Sequence, residues 1–314
     1  MPIAPILMSP AYRCGDATPW GGEGLRMMFG QDIPDARTGE SLEVSALPGL
    51  ESRDPDGRKL TDLIDLYGEK LTGPGFAHPF PLLLKLLDAK DKLSVQVHPD
   101  DEYAEKTEHT LGKTEAWHIL FAAPGAELVY GVKEGATKEE LRRASEKGAE
   151  VEGLLRKVRV KAGQTYYIPA GTIHAIGAGI ILYEIQQSSM ITYRFYDWDR
   201  KDAQGNRREL HIDKAVDVVD VHSQPEPVRE QPVGPGRFRI LEEKYFGLDR
   251  LCAFDGTLPA DPRRFAFLTA VRGCRVSWDG GELTMPAGTT ALLPADGYDL
   301  RVKAPAALLA YPAC

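Results

Sequence analysis

The chain has 314 residues, 43% of them hydrophobic, with 31 glycines and 23 prolines. That is enough to bury one large or two medium cores, and the turn-forming content favours strands. A net charge of −8 and a pI near 5.5 exclude a nucleic-acid partner, because no basic stripe exists to displace counterions. The start, M-P-I-A-P-I-L-M-S-P, lacks the basic region of a signal peptide, and no run of 18 apolar residues could span a membrane. The four cysteines (Cys14, Cys252, Cys274, Cys314) form no C-x-x-C pair and read as free thiols of a reducing compartment. A soluble cytoplasmic protein is expected.

Residues 1–60 are rich in loops, with a strand over Ser41 to Ala46 and a Trp20-Gly21-Gly22 segment whose indole is expected to plug one end of a barrel. Thr61 to Leu66 suggests a short helix capped by Thr61 and ended by Gly68. Pro79 to Leu87 is an apolar strand interrupted by Lys85, a charge that must reach water or an anion.

The densest chemistry follows. In L-S-V-Q-V-H, read as a strand, Leu93, Val95 and Val97 face one way and Ser94, Gln96 and His98 the other. Gln96 and His98 are roughly 7 Å apart along such a strand, close enough for one ion to be reached by both. Pro99 ends the strand, and an acidic helix over Asp100 to Glu108 follows. Lys113, Glu115 and Trp117 then share a strand face, placing an ammonium and a carboxylate in one cavity.

A strand over Leu128 to Val132 precedes a capping box at Thr137-Lys138-Glu139-Glu140, which opens a polar helix ending at Gly148. Tyr166 to His174, Y-Y-I-P-A-G-T-I-H, carries a strand into a Pro-Ala-Gly turn and delivers His174. Gln96, His98, Glu115 and His174 together make a candidate site suited to zinc, with manganese, iron or cobalt as alternatives.

Glu184 and Gln186 break an apolar strand over 179–188, and a buried carboxylate is a functional candidate. In T-Y-R-F-Y-D-W-D-R, Arg194 is expected on the strand face of Tyr196; beside a metal cavity such an arginine would also hold an anion. A helix is expected over 209–221 and a Pro-rich linker over 221–236.

Residues 237–314 echo the first part. Ala162 to Ala170 aligns with Ala287 to Ala295, which sets His174 opposite Asp299. Aligning the strands before the Pro124-Gly125 and Val271-Gly273 turns sets Glu115 opposite Arg263. The expectation is two copies of one barrel, only the first holding a metal: residues 1–235 as the metal-binding domain and 236–314 as a smaller β domain without ligands.

S-V-Q-V-H-P-D-D, G-K-T-E-A-W, Y-Y-I-P-A-G-T-I-H-A and Y-R-F-Y-D-W-D-R, in this order, resemble the type I mannose-6-phosphate isomerases in their short bacterial form. The resemblance is densest over 80–215 and weak over the last 80 residues. It implies a mainly β, double-cupin fold of two jelly-roll barrels with a few short helices, and one zinc ion per chain. It places zinc on His98, Glu115 and His174, with Gln96 the fourth ligand in many members. Arg194 matches the family's active-site arginine, and Lys113 and Glu184 match residues considered for proton transfer or substrate contact. The implied reaction converts D-mannose 6-phosphate to D-fructose 6-phosphate through an enediol, with Glu184 or Lys113 as base and Lys85 and Lys113 as candidate phosphate contacts. The expected partner is a small sugar phosphate, and the chain is expected to be a monomer or weak homo-oligomer. Alternatives are an isomerase of unphosphorylated sugars, an iron cupin oxidase and a non-catalytic sugar-binding cupin.

Overall fold

Apolar runs bounded by Gly and Pro turns become antiparallel strands in the computed structural model, which describes residues 1–202, 204–223 and 225–314. The chain is 40% strand and 16% helix, and the sheets stay open at their edges rather than closing into barrels. No helix among the described residues is long and apolar enough to cross a membrane. The chain divides into two compact units: Met1–Pro19 with Glu23–Leu86 and Val228–Cys314, and Trp20–Gly22 with Leu87–Pro227.

In the second unit, a five-stranded sheet runs in the order Tyr193–Tyr196, Val95–Val97, His174–Ile176, Glu127–Val132, Leu155–Arg159. Its outer face carries Val95, Val97, Val129 and Ala175, covered by helices Lys138–Glu146 and Ile212–Val218. Its inner face carries Leu128, Tyr130 and Ile176, which pack with Trp117, Tyr166 and Ile168. Those three come from the antiparallel strands Glu115–Ala122 and Thr165–Ile168, and Ile180–Gln187 pairs along the other side of Glu115–Ala122. With both faces covered, the strand Glu127–Val132 is buried nearly throughout instead of alternating. Trp20 is buried in the inner cluster. A side chain on Gly22 would meet Asp88 Oδ2 at 2.7 Å and Lys90 Cβ at 2.9 Å, which is why glycine follows the indole.

The first unit pairs Ala11–Cys14 with Thr38–Val44 and builds its main sheet from the C-terminal strands, in the order Thr289–Leu293, Ala266–Ala270, Leu300–Pro312, Phe246–Leu258, Arg237–Glu242. The helix expected from Thr61 starts earlier, at Leu60, and runs to Tyr67. Asp62 accepts from the Lys59 backbone N–H at 3.0 Å, so Lys59 sits at the cap and Thr61 inside the first turn. The linker expected over 221–236 contains a short strand, Gln231–Gly234; its residue 224 lies outside the described residues.

The internal echo is a repeat of hydrogen-bond register. Ile185 pairs with Ala116 and Glu184 with Trp117; in the same pattern Ala310 pairs with Phe267 and Leu309 with Leu268. Glu115 pairs with Ile168, and Ala266 pairs with Leu293. The turn glycines Gly163 and Gly288 both have positive φ, +87° and +75°. One correction follows: the residue standing where Glu115 stands is Ala266, three places beyond the Arg263 that alignment on the following turn suggests.

Candidate metal centre and active site

Arg194, Gln96, His174 and Tyr130 are successive cross-strand partners in the five-stranded sheet. Directly opposed residues share a face, so these four form one row on the inner side. The pairing slips by one residue between Arg194 and Tyr196, so Arg194 opposes Gln96 whereas Tyr196 opposes Val95. Since Val95 and Gln96 point to opposite faces, the bulge separates Arg194 from the tyrosine expected beside it and leaves Tyr196 in the outer core.

Glu115 comes from the neighbouring pair of strands. Its carboxylate approaches His174 Nε2 at 3.2 Å through Oε1, and His98 Nε2 at 3.6 Å and Lys113 Nζ at 2.8 Å through Oε2. All four residues are buried. Donor atoms of His98, Glu115 and His174 lie within 4.8 Å of one another, the one such group among the described residues. Ligand atoms of a tetrahedral zinc with bonds of about 2.0–2.1 Å sit roughly 3.3 Å apart, which the Glu115 contacts match.

Tautomer and burial prepare the set. His174 Nδ1–H donates to the Thr172 carbonyl at 2.8 Å, which leaves the Nε2 lone pair facing Glu115. Burial, and then the Lys113 charge, push the His174 pKa down to about 3 against the pull of that hydrogen bond, so the imidazole is neutral. Neither carboxylate oxygen of Glu115 has a hydrogen bond of good geometry; Lys113 neutralises its charge as an ion pair. A buried carboxylate with open lone pairs beside two imidazoles is chemistry a divalent cation would complete. The donor set therefore fits a metal of the zinc type.

The other expected residues fall around this centre. Gln96 Nε2 is 3.2 Å from His174 Nε2, so in this orientation its NH₂, rather than its oxygen, faces the imidazole. Glu184 accepts from Trp117 Nε1–H at 2.8 Å, and the Trp117 ring meets the His174 ring edge-on at 5.3 Å. Arg194 is half-buried and donates through Nη1 to the Glu209 carbonyl at 2.8 Å. Burial, then the Arg208 charge, lower its pKa from the ordinary value. Lys85 lies in the first unit, where its Nζ is 3.5 Å from Glu40 Oε1.

Supporting residues had weaker signals. Thr114 N–H donates to Gln187 Oε1 at 2.9 Å, and Gln187 Nε2–H donates to Asp101 Oδ1 at 2.8 Å. The Gly171 N–H donates to the His98 carbonyl at 2.9 Å, tying the Pro-Ala-Gly turn to the end of the Gln96 strand. Gln186, opposite Glu115, donates to the Gln187 and Ser189 carbonyls. Polar residues at the ends of otherwise apolar strands were the only signal for these ties.

A mainly β protein that gathers two imidazoles and one carboxylate in its interior has the candidate metal site of a cupin-like scaffold. The model of the type I phosphomannose isomerase catalytic domain matches residues 14–117. A mannose-6-phosphate isomerase of Streptococcus mutans is 50% identical over 205 residues, 64% of each chain, so the match spans somewhat under two thirds of that relative. The mannose-6-phosphate isomerase ManA of Bacillus subtilis is 45% identical over 231 residues, 72% of this chain and 71% of its own. The crystal structure of a mannose 6-phosphate isomerase from Bacillus subtilis superposes with a TM-score of 0.87 at 33% identity, covering 98% of this chain and 99% of that one. The chain belongs to the type I phosphomannose isomerase family.

Proposed function

We propose that the chain interconverts D-mannose 6-phosphate and D-fructose 6-phosphate, with one zinc ion held by His98, Glu115 and His174. The observation that carries this reading is the buried His98–Glu115–His174 cluster with Lys113 and Glu184 beside it, in a chain of this family. A bound zinc would supply Lewis-acid polarisation or a template for the sugar oxygens. The rest is work for the chain's own residues.

Moving a proton between C1 and C2 needs a base and a stabiliser for the oxygen that gains negative charge. Lys113 is committed as a cation to Glu115, whereas Glu184 is a carboxylate held as an acceptor by Trp117. We therefore assign proton transfer to Glu184 and local charge balance to Lys113. Arg194, in the row of Gln96 and His174, is assigned to the developing oxyanion. Gln96 would join the metal only through Oε1, the atom now turned from His174. A phosphate contact is assigned to Lys113, while Lys85, the other candidate from the sequence, is paired with Glu40 in the first unit. Every assigned residue precedes residue 235, which is where the sequence places the functional division. Free thiols at all four cysteines suit a cytoplasmic enzyme.

A coupled assay for fructose 6-phosphate, run before and after chelation with zinc added back, tests the reading. Turnover should vanish with the chelator and return with zinc. A zinc-loaded protein without turnover on mannose 6-phosphate would overturn it.

A further inference from the structure

The C-terminal strands line a half-open cavity of about 440 Å³. Its walls include Ala266, Leu293, Leu309 and Tyr311. By the repeated register, the first three stand where Glu115, Ile168 and Glu184 stand in the first copy, and Tyr311 stands where Gln186 does. The cavity is therefore the counterpart of the metal centre. Alanine and leucine have replaced its carboxylates, yet the space has not been filled by larger side chains. The cleft opens to solvent beside the largely exposed Arg263, so a small molecule can enter it.

The relining points to the occupant's charge. Arg237, Arg263 and Arg264 line the cavity with a single aspartate, Asp261. Asp261 is shared: Oδ1 meets Arg263 Nε at 2.8 Å and Oδ2 meets Arg264 Nε at 3.1 Å. Arg237 is held against the buried Asp249 at 2.7 Å. Counting Asp249, the arginines remain in excess. The Arg264 guanidinium lies 4.2 Å over the Tyr311 ring, and Tyr298 adds a second aromatic wall. Planar guanidinium groups with aromatic surfaces are the chemistry that receives a phosphate attached to a ring.

We propose that this cavity is a second ligand site, taking a small phosphate ester whose phosphate meets Arg263 and Arg264 and whose ring lies against Tyr298 and Tyr311. The site needs no metal and is independent of the reaction assigned to the first copy.

The test is calorimetric titration of the full-length, zinc-loaded protein with inorganic phosphate, ribose 5-phosphate, adenosine 5′-monophosphate and adenosine. Binding in the range of about 1 mM or tighter is expected for one of the two esters, and adenosine should not bind. The tighter ester distinguishes a sugar phosphate from a nucleotide. Arg263→Gln with Arg264→Gln should weaken that binding at least about tenfold, a loss of about 1.4 kcal/mol, while mannose 6-phosphate turnover stays at the parent level. Arg263 is largely exposed, so Arg263→Gln alone, and Tyr298→Ala, keep the test valid if the double variant fails to fold. No ester binding, affinity unchanged in the arginine variants, or inorganic phosphate binding as tightly as the esters would each overturn the proposal.

Discussion

Arg194 illustrates how one inserted residue redirects a side chain. Plain alternation along Tyr193–Tyr196 would pair it with Tyr196, but the bulge turns it toward Gln96 and His174. Arg194→Ala should leave the fold intact, because the guanidinium bonds to the Glu209 carbonyl at the surface. It should lower kcat by about 10²–10³, the order found when one preorganised donor is removed; circular dichroism alongside steady-state kinetics checks both halves. A turnover within a few-fold of the parent would remove Arg194 from the mechanism. The candidate donors have signals in the sequence: the alternation of Val95 and Val97 fixes the face of Gln96 and leads into His98, Trp117 fixes the face of Glu115, and the Pro-Ala-Gly turn precedes His174. Arg194's neighbour has none, because a bulge has no residue signature, only a slip against a partner strand.

At the level of elements, the site depends on how tightly its loops are set. The Gly112 N–H donates to Asp101 Oδ1 at 3.0 Å, and a Cβ on Gly112 would meet the Asp100 backbone carbon at 2.4 Å. Gly112→Ala should therefore push the Lys113 loop away from the start of the Asp101–Glu108 helix and cost about 1–3 kcal/mol. Urea denaturation measures that cost, and zinc affinity should fall with it. The Thr137 capping box formed as its residues indicated, with Thr137 Oγ1 accepting from Glu140 N–H at 3.2 Å and Glu140 Oε2 accepting from Thr137 N–H at 3.0 Å. Thr137→Ala should lower stability by about 1 kcal/mol without changing turnover. Caps are legible because donor and acceptor lie three residues apart. The three-residue offset between Glu115's two candidate counterparts was not, because the connections after the paired strands need not match in length, and only the ladder counts residues from the strand itself.

Across the whole molecule, stability should carry a pH dependence unrelated to the metal. Glu43 is fully buried, and burial pushes its pKa from 4.5 up to about 7. Ser41, Gln31 and Thr290 donate to its carboxylate and pull the other way without prevailing. Between these two values the folded chain holds a proton that the unfolded chain has released, so stability falls as pH rises through that window and levels off above it. The span is on the order of 3 kcal/mol. Glu43→Gln should flatten this part of the curve, as urea midpoints at pH 5 and pH 8 would show; an unchanged slope would assign it elsewhere. The mainly β architecture and the duplication were legible from alternating strands and the repeated Ala-Gly…Pro-Ala segment. The grouping of residues 1–19 and 23–86 with 228–314 was not, since it rests on pairings such as Ile6 with Leu292, for which periodicity holds no information.

That grouping has a consequence for synthesis. The Ile6–Met8 strand pairs with Thr289–Leu293, and Glu43 bonds to Thr290. On a ribosome adding about 5–20 residues per second, these early strands emerge long before their partners. The segment 87–227 can assemble its donor cluster while the Ile6–Met8 strand still waits for Thr289–Leu293. A nascent chain stalled before residue 289 should thus hold the His98–Glu115–His174 cluster while Ile6–Met8 stays unpaired, a natural client for a chaperone that covers exposed strands.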